Sequence, residues 1–134
     1  MAISYITTRR NARLQELATA VGNAGKLKIY SGTPPADANT ALSGNTLLAT
    51  PICGTPFEDT ITGGVLTPLA ITPAAIVATQ TATFFRLTTS GDTVQAQGTV
   101  GATGSGADLE FPTVSFVTGV DCEVDSWTIT EGNP

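Results

Sequence analysis

From Lys26 onward the apolar residues of this chain alternate with a period of two. They do so in short runs broken by Gly, Pro, Asn and Asp, and no helical stretch long enough for a crossover lies between the runs. That pattern excludes a βαβ architecture and calls for antiparallel pairing. Strands are expected at residues 26–30, 46–50, 56–61, 65–70, 81–88, 93–100, 108–111, 114–117 and 120–130. Leu27 and Ile29 should share one face of the first. The Ser90-Gly91-Asp92 triplet between two alternating runs reads as a hairpin turn. Residues 31–45 carry Gly32, Pro34, Pro35 and Gly44 and are expected to be a long connecting loop. Residues 101–106 are expected to be a flexible turn, and residues 73–79 carry no clear signal. Many short strands with turn residues between them give a mainly β fold: an antiparallel β-sandwich, jelly-roll-like, in residues 26–134.

Before Lys26 the period is helical. Leu14, Leu17, Ala18 and Val21 recur at i, i+3, i+4 and i+7, Thr7 or Thr8 can cap the start, and Gly22 can close the end. Such a helix is marginal alone in water and must dock on something. Charge separates it from the rest of the chain. Residues 1–28 hold five cations against one anion, net +4, while residues 29–134 hold Arg86 against ten anions, net −9. Residues 1–25 are therefore expected to form a basic helical arm that binds a partner, with Leu14, Leu17 and Val21 as the apolar contacts and Arg9, Arg10 and Arg13 for an acidic surface.

The 134 residues suit one domain. Charged residues are only 13%, so Thr, Ser, Asn and Gly must carry the surface polarity, which suits a pleated and half-exposed sheet. Histidine is absent. That removes Ser-His-Asp and Cys-His catalysis and every His-containing zinc site, and two cysteines cannot make a Cys₄ site. No phosphate-binding glycine motif opens a helix. No cofactor and no enzymatic role are expected. Nothing near Met1–Tyr5 reads as a secretory leader and no run is long enough for an apolar membrane span, so synthesis in a cytoplasm is expected, with Cys53 and Cys122 buried and free. Nucleic-acid binding is not expected, because the acidic body repels phosphates and three arginines make a thin footprint.

Carboxylates remain as candidates for chemistry. Asp121, Glu123 and Asp125 alternate and share one face of the last strand, loosely for one calcium ion unless loop carbonyls help. A solvated acidic row is the simpler expectation. A carboxylate pair could serve glycoside hydrolysis, though one Trp and two Tyr give little to stack a sugar. The apolar face of 120–130 changes parity between Val124 and Trp127, which either a one-residue bulge at Asp125-Ser126 or a strand end buried on both faces would explain. Arg86, inside a Phe-rich strand, either pairs with a carboxylate or faces water.

Several segments carry a family likeness. They are Arg10-Asn11-Ala12-Arg13-Leu14-Gln15-Glu16-Leu17, Leu27-Lys28-Ile29-Tyr30-Ser31-Gly32-Thr33-Pro34-Pro35-Ala36, Leu47-Leu48-Ala49, Ala82-Thr83-Phe84-Phe85-Arg86 and Trp127-Thr128-Ile129-Thr130-Glu131-Gly132-Asn133. Together they resemble a family of small structural proteins of tailed bacteriophages. The resemblance implies a virion component with a β-sandwich body, and its motifs mark a fold rather than an active site. The function expected from it is capsid decoration: a cement protein that binds the major capsid protein on the outer shell as a homo-oligomer, a trimer among the options. A neck, collar or tail accessory protein is the alternative within that class, where the partners are other virion proteins. A glycan- or host-surface-binding module using the 31–45 and 101–106 loops is the alternative outside it.

Overall fold

The computed structural model describes residues 3–131, so the Gly132-Asn133 end of the last motif lies outside the described residues. The described chain is mainly β with a single helix. The elements are α1 (Thr7–Val21), β1 (Lys26–Tyr30), β2 (Leu47–Ala49), β3 (Glu58–Thr62), β4 (Val65–Pro68), β5 (Ala74–Ala75), β6 (Gln80–Thr81), β7 (Phe84–Thr88), β8 (Val94–Ala102), β9 (Leu109–Phe111), β10 (Ser115–Phe116), β11 (Asp121–Cys122) and β12 (Ile129–Thr130). Five strands in the order β2-β1-β7-β8-β9 form the main sheet, which curls into a half-barrel. The others form a β12-β4-β3 sheet and two small pairs, β10-β6 and β11-β5.

The inner face of the half-barrel holds the core. Leu27 lies opposite Leu87 and Ile29 opposite Phe85 in the antiparallel β1-β7 ladder. These four side chains are buried in one cluster with Leu14, Ala18 and Val21 of α1, together with Leu48, Phe57, Leu66 and Trp127. Phe85 and Phe57 meet the Trp127 ring edge-on, at centroid distances of 5.3 and 6.3 Å. The helix thus supplies part of the body's own core. This corrects the expectation of a separate arm over residues 1–25: an amphipathic helix this short gains its stability from packing, and the nearest apolar surface is the sheet that follows it. Gly22 ends the helix with positive φ, as a glycine allows, but as the C-cap at φ 71°, ψ −155° rather than as a left-handed residue beyond it, its N–H donating to the Ala18 carbonyl. The start differs. Ile6 is the N-cap and offers no side-chain bond, while Thr7 and Thr8 lie inside the helix.

The outer face of the same sheet is also covered. All five residues of β7 are buried. Tyr30 stacks on Phe84 at 5.2 Å, and the 31–45 loop lies over Arg86. Arg86 Nε donates to Gln97 Oε1 at 2.9 Å, and its Nη2 donates to the carbonyls of Thr40 and Asp37. Gln97 in turn donates to the Pro35 carbonyl at 2.9 Å. Arg86 thus meets neither expectation: its guanidinium is buried and donates to the Gln97 side chain and to loop carbonyls rather than to a carboxylate. Asn45 ties the loop ends by donating to the carbonyls of Ser31 and Thr33 at 3.1 and 2.9 Å. Asp37 caps a turn inside it, accepting from the Thr40 hydroxyl and the N–H groups of Asn39 and Thr40, and these bonds hold its carboxyl below the usual carboxylate range.

Two further expectations change. β8 and β9 pair in parallel, Val100 opposite Leu109, although only residues 103–108 join them. Gly101 makes this return feasible, because a Cβ there would lie 2.9 Å from Ala107 Cβ. Within the 101–106 turn the Gly106 N–H donates to Glu110 at 3.0 Å and the Ser105 N–H to the Ala102 carbonyl at 2.9 Å, and beside it Asp108 accepts from the Thr99 N–H at 2.8 Å. The expected single strand over 120–130 divides into β11, paired with β5, and β12, paired with β4. The parity change is real, since Cys122 and Trp127 are both buried while Asp125 and Ser126 are exposed. It arises from a move between sheets rather than from a bulge within one.

Candidate interaction surfaces

The residues expected to dock a partner are placed by α1, and the structure separates them. Leu14 and Val21 are each 2% exposed and pack on the chain's own sheets, so neither offers surface to a partner; this corrects their expected role. Leu17 is half-buried and borders a groove of about 320 Å³ with Phe85 of β7, Gly98 of β8, Trp127 and Ile129. Arg13 Nη1 pairs with Glu131 Oε1 at 2.7 Å, which raises the guanidinium's pKa, and its charge sits 4.3 Å from the Tyr5 ring centroid. Arg10 lies over Gly64, where a Cβ would clash with its guanidinium, and Asn11 accepts the Gly64 N–H at 2.8 Å. Arg9 is exposed and makes no side-chain ion pair among the described residues.

The remaining cations of the leading segment are also engaged. Lys26 and Lys28 lie two apart on β1 and both reach Asp92 Oδ1 in the β7–β8 turn, at 2.9 and 2.8 Å. Donation from Lys28 and then Lys26 draws the Asp92 carboxyl down to about 2. Asp92 takes φ 71° in the hairpin that the Ser-Gly-Asp triplet indicated. Arg13, Lys26 and Lys28 are thus paired within the fold through Glu131 and Asp92, at a surface where such pairs contribute little stability. Both cysteines are buried and unbonded, and burial raises the Cys53 and Cys122 thiols to about 12 and about 11.

A further hollow lies elsewhere. A groove of about 400 Å³ runs between β10 and β11, with Ile76, Phe111, Phe116 and Cys122 in its floor. Val117 and Val120 on its wall are 48% and 55% exposed. Asp121, Glu123 and Asp125 line its rim, and Glu110 borders an adjoining hollow that shares Phe111, Glu123 and Asp125. The acidic row is exposed, as its alternation implied. Among the described residues no three carboxylates or thiols converge closely enough to hold a metal ion. The apolar floor was not foreseen. The groove's one local sequence signal is the wall pair Val117 and Val120 on either side of Gly119, too short a run to show periodicity.

A second exposed apolar feature precedes the helix. Ile3 and Ile6 are each 72% exposed, and Ile6 has extended backbone at φ −64°, ψ 155°. Val77 is 64% exposed and its N–H donates to the Leu48 carbonyl, adjacent to Ile76 of the groove. No helix among the described residues is long and apolar enough to cross a membrane. No family model, curated protein or solved structure matches the chain.

Proposed function

We propose that this protein is a virion structural component of a tailed bacteriophage, a decoration protein that seats on the outer capsid shell and stabilises it, without an enzymatic role. The observation that carries this reading is the pair of exposed apolar surfaces with opposite charge: the acid-rimmed groove between β10 and β11, and the Ile3–Ile6 segment leading to Arg9. Exposed apolar side chains rimmed by charge are what protein–protein contacts use. The sequence resemblance supplies the address, the major capsid protein, and we infer a jelly-roll-like sandwich as the finer architecture of the β body. Many copies bound to one shell turn modest contacts into firm retention, and a ligand that binds only the assembled shell stabilises it.

The helix does not act as the docking element in this proposal, because its apolar stripe is spent on the body's own core. Contact with the shell falls to exposed residues instead. The test is addition of the purified protein to shells that lack it, followed by co-sedimentation and thermal disruption. Saturable binding with a higher disruption temperature is expected. Failure to bind shells, with binding to host cells or glycans instead, would overturn it.

A further inference from the structure

We propose that the acid-rimmed groove between β10 and β11 is the receptor for the Ile3–Arg9 segment of a second copy of this chain, so that copies join head to tail. Three observations point to this occupant. The groove offers an apolar floor of Phe111 and Phe116 and the exposed wall of Val117 and Val120. Its rim is acidic, through Asp121, Glu123 and Asp125. The Ile3–Arg9 segment has the complementary character: two isoleucines that the chain's own body leaves 72% exposed, followed by Arg9 with no ion-pair partner among the described residues.

The segment cannot readily serve its own groove. Arg13 holds Tyr5 through its ring face and is itself tied to Glu131, next to β12. The helix packs against β3, β4 and β8, whereas the groove is carried by β10 and β11. The segment is thereby anchored on one part of the body and presented outward. A neighbouring copy's groove is the surface whose charge and apolarity it matches. If the extended conformation of Ile6 (φ −64°, ψ 155°) continues back to Ile3, a threefold backbone places the two isoleucines on one side about 9 Å apart, a span suited to two apolar subsites. Arg9 follows in the first helical turn, where it can meet the carboxylates of the rim. Donor and receptor are different patches, so the contact is heterologous and closes into a ring if the rotation between copies permits.

The test uses the full chain and substitutions at exposed positions only. Sedimentation equilibrium should give the unmodified chain a mass that is a multiple of 13.7 kDa. A donor variant, Ile3→Asp with Ile6→Asp, and a receptor variant, Val120→Asp, should each sediment as monomers with an unchanged Tm. Mixed in equal amounts, they should form a capped heterodimer, since one keeps a working groove and the other a working segment. Arg9→Glu should weaken assembly about tenfold, and Glu123→Arg in the same chain should restore part of the loss. A monomeric unmodified chain, a variant of either kind that keeps the assembled mass, or variants that stay monomeric when mixed would each overturn the proposal. None of these outcomes depends on whether the protein binds a phage shell.

Discussion

Replacing Leu14 by Ala removes three carbons from a side chain that is 2% exposed and lies in the cluster shared by α1 and the main sheet. Transfer of three methylene equivalents amounts to about 2.4 kcal/mol, and the cavity left behind raises the cost to about 3–5 kcal/mol. For 134 residues the unfolding entropy near 60 °C is about 280 cal/mol/K, so Tm should fall by about 10–18 °C. A loss of that size is a large part of the roughly 5–15 kcal/mol that holds a domain together. Scanning calorimetry on Leu14→Ala, with Arg9→Ala as the exposed control, measures it. The control should stay within about 0.5 kcal/mol of the unmodified chain. A Leu14→Ala transition that coincides with the control would refute the packing of the helix into the core and would revive a detachable arm.

Three further outcomes follow from particular contacts. The Asp92 carboxyl is held at about 2 by Lys28 and Lys26, below its ordinary 3.8, so its contribution is complete above about pH 4 and is lost as pH falls towards 2. Asp92→Asn should flatten that part of the acid-stability curve, and an unchanged curve would show that the lysines do not discriminate the ionised form. At pH 8 the buried thiols of Cys53 and Cys122 should be ionised to only about one part in ten thousand and one in a thousand, so alkylation should track unfolding; rapid labelling of the native protein would contradict their burial. Arg86→Lys keeps the charge but loses the planar fork that serves Gln97 and the loop carbonyls. Limited digestion with a non-specific protease should then cut within 31–45 faster than in the unmodified chain, and equal rates would mean that Asn45 and Asp37 hold the loop unaided.

Local rules made the hairpin, β1 and the Gly22 helix end legible in the sequence. Each depends on residues close together in the chain: the Ser-Gly-Asp turn, the Leu27/Ile29 alternation, and a glycine able to take positive φ. What the sequence hid depends on distant partners. The stripe of Leu14, Leu17, Ala18 and Val21 announces an apolar face but not what covers it, and the charge asymmetry suggested a foreign surface where the fold uses its own. Arg86 is buried by a loop some fifty residues earlier, and carbonyls leave no trace in composition. The split of 120–130 needed knowledge that β5 and β4 lie in different sheets, and β5 is only two residues long. The groove could not be read for the same reason: its floor gathers Ile76, Phe111, Phe116 and Cys122 from separate strands and loops, and only the acidic rim is contiguous.

The most direct test of the proposed function is an image of the phage particle with this protein located on it. Decoration of the outer shell predicts density at every capsomer, with neighbouring copies touching through the acid-rimmed groove. Density confined to a single ring at the neck or along the tail would contradict the decoration role, and absence from the particle would contradict a virion role altogether.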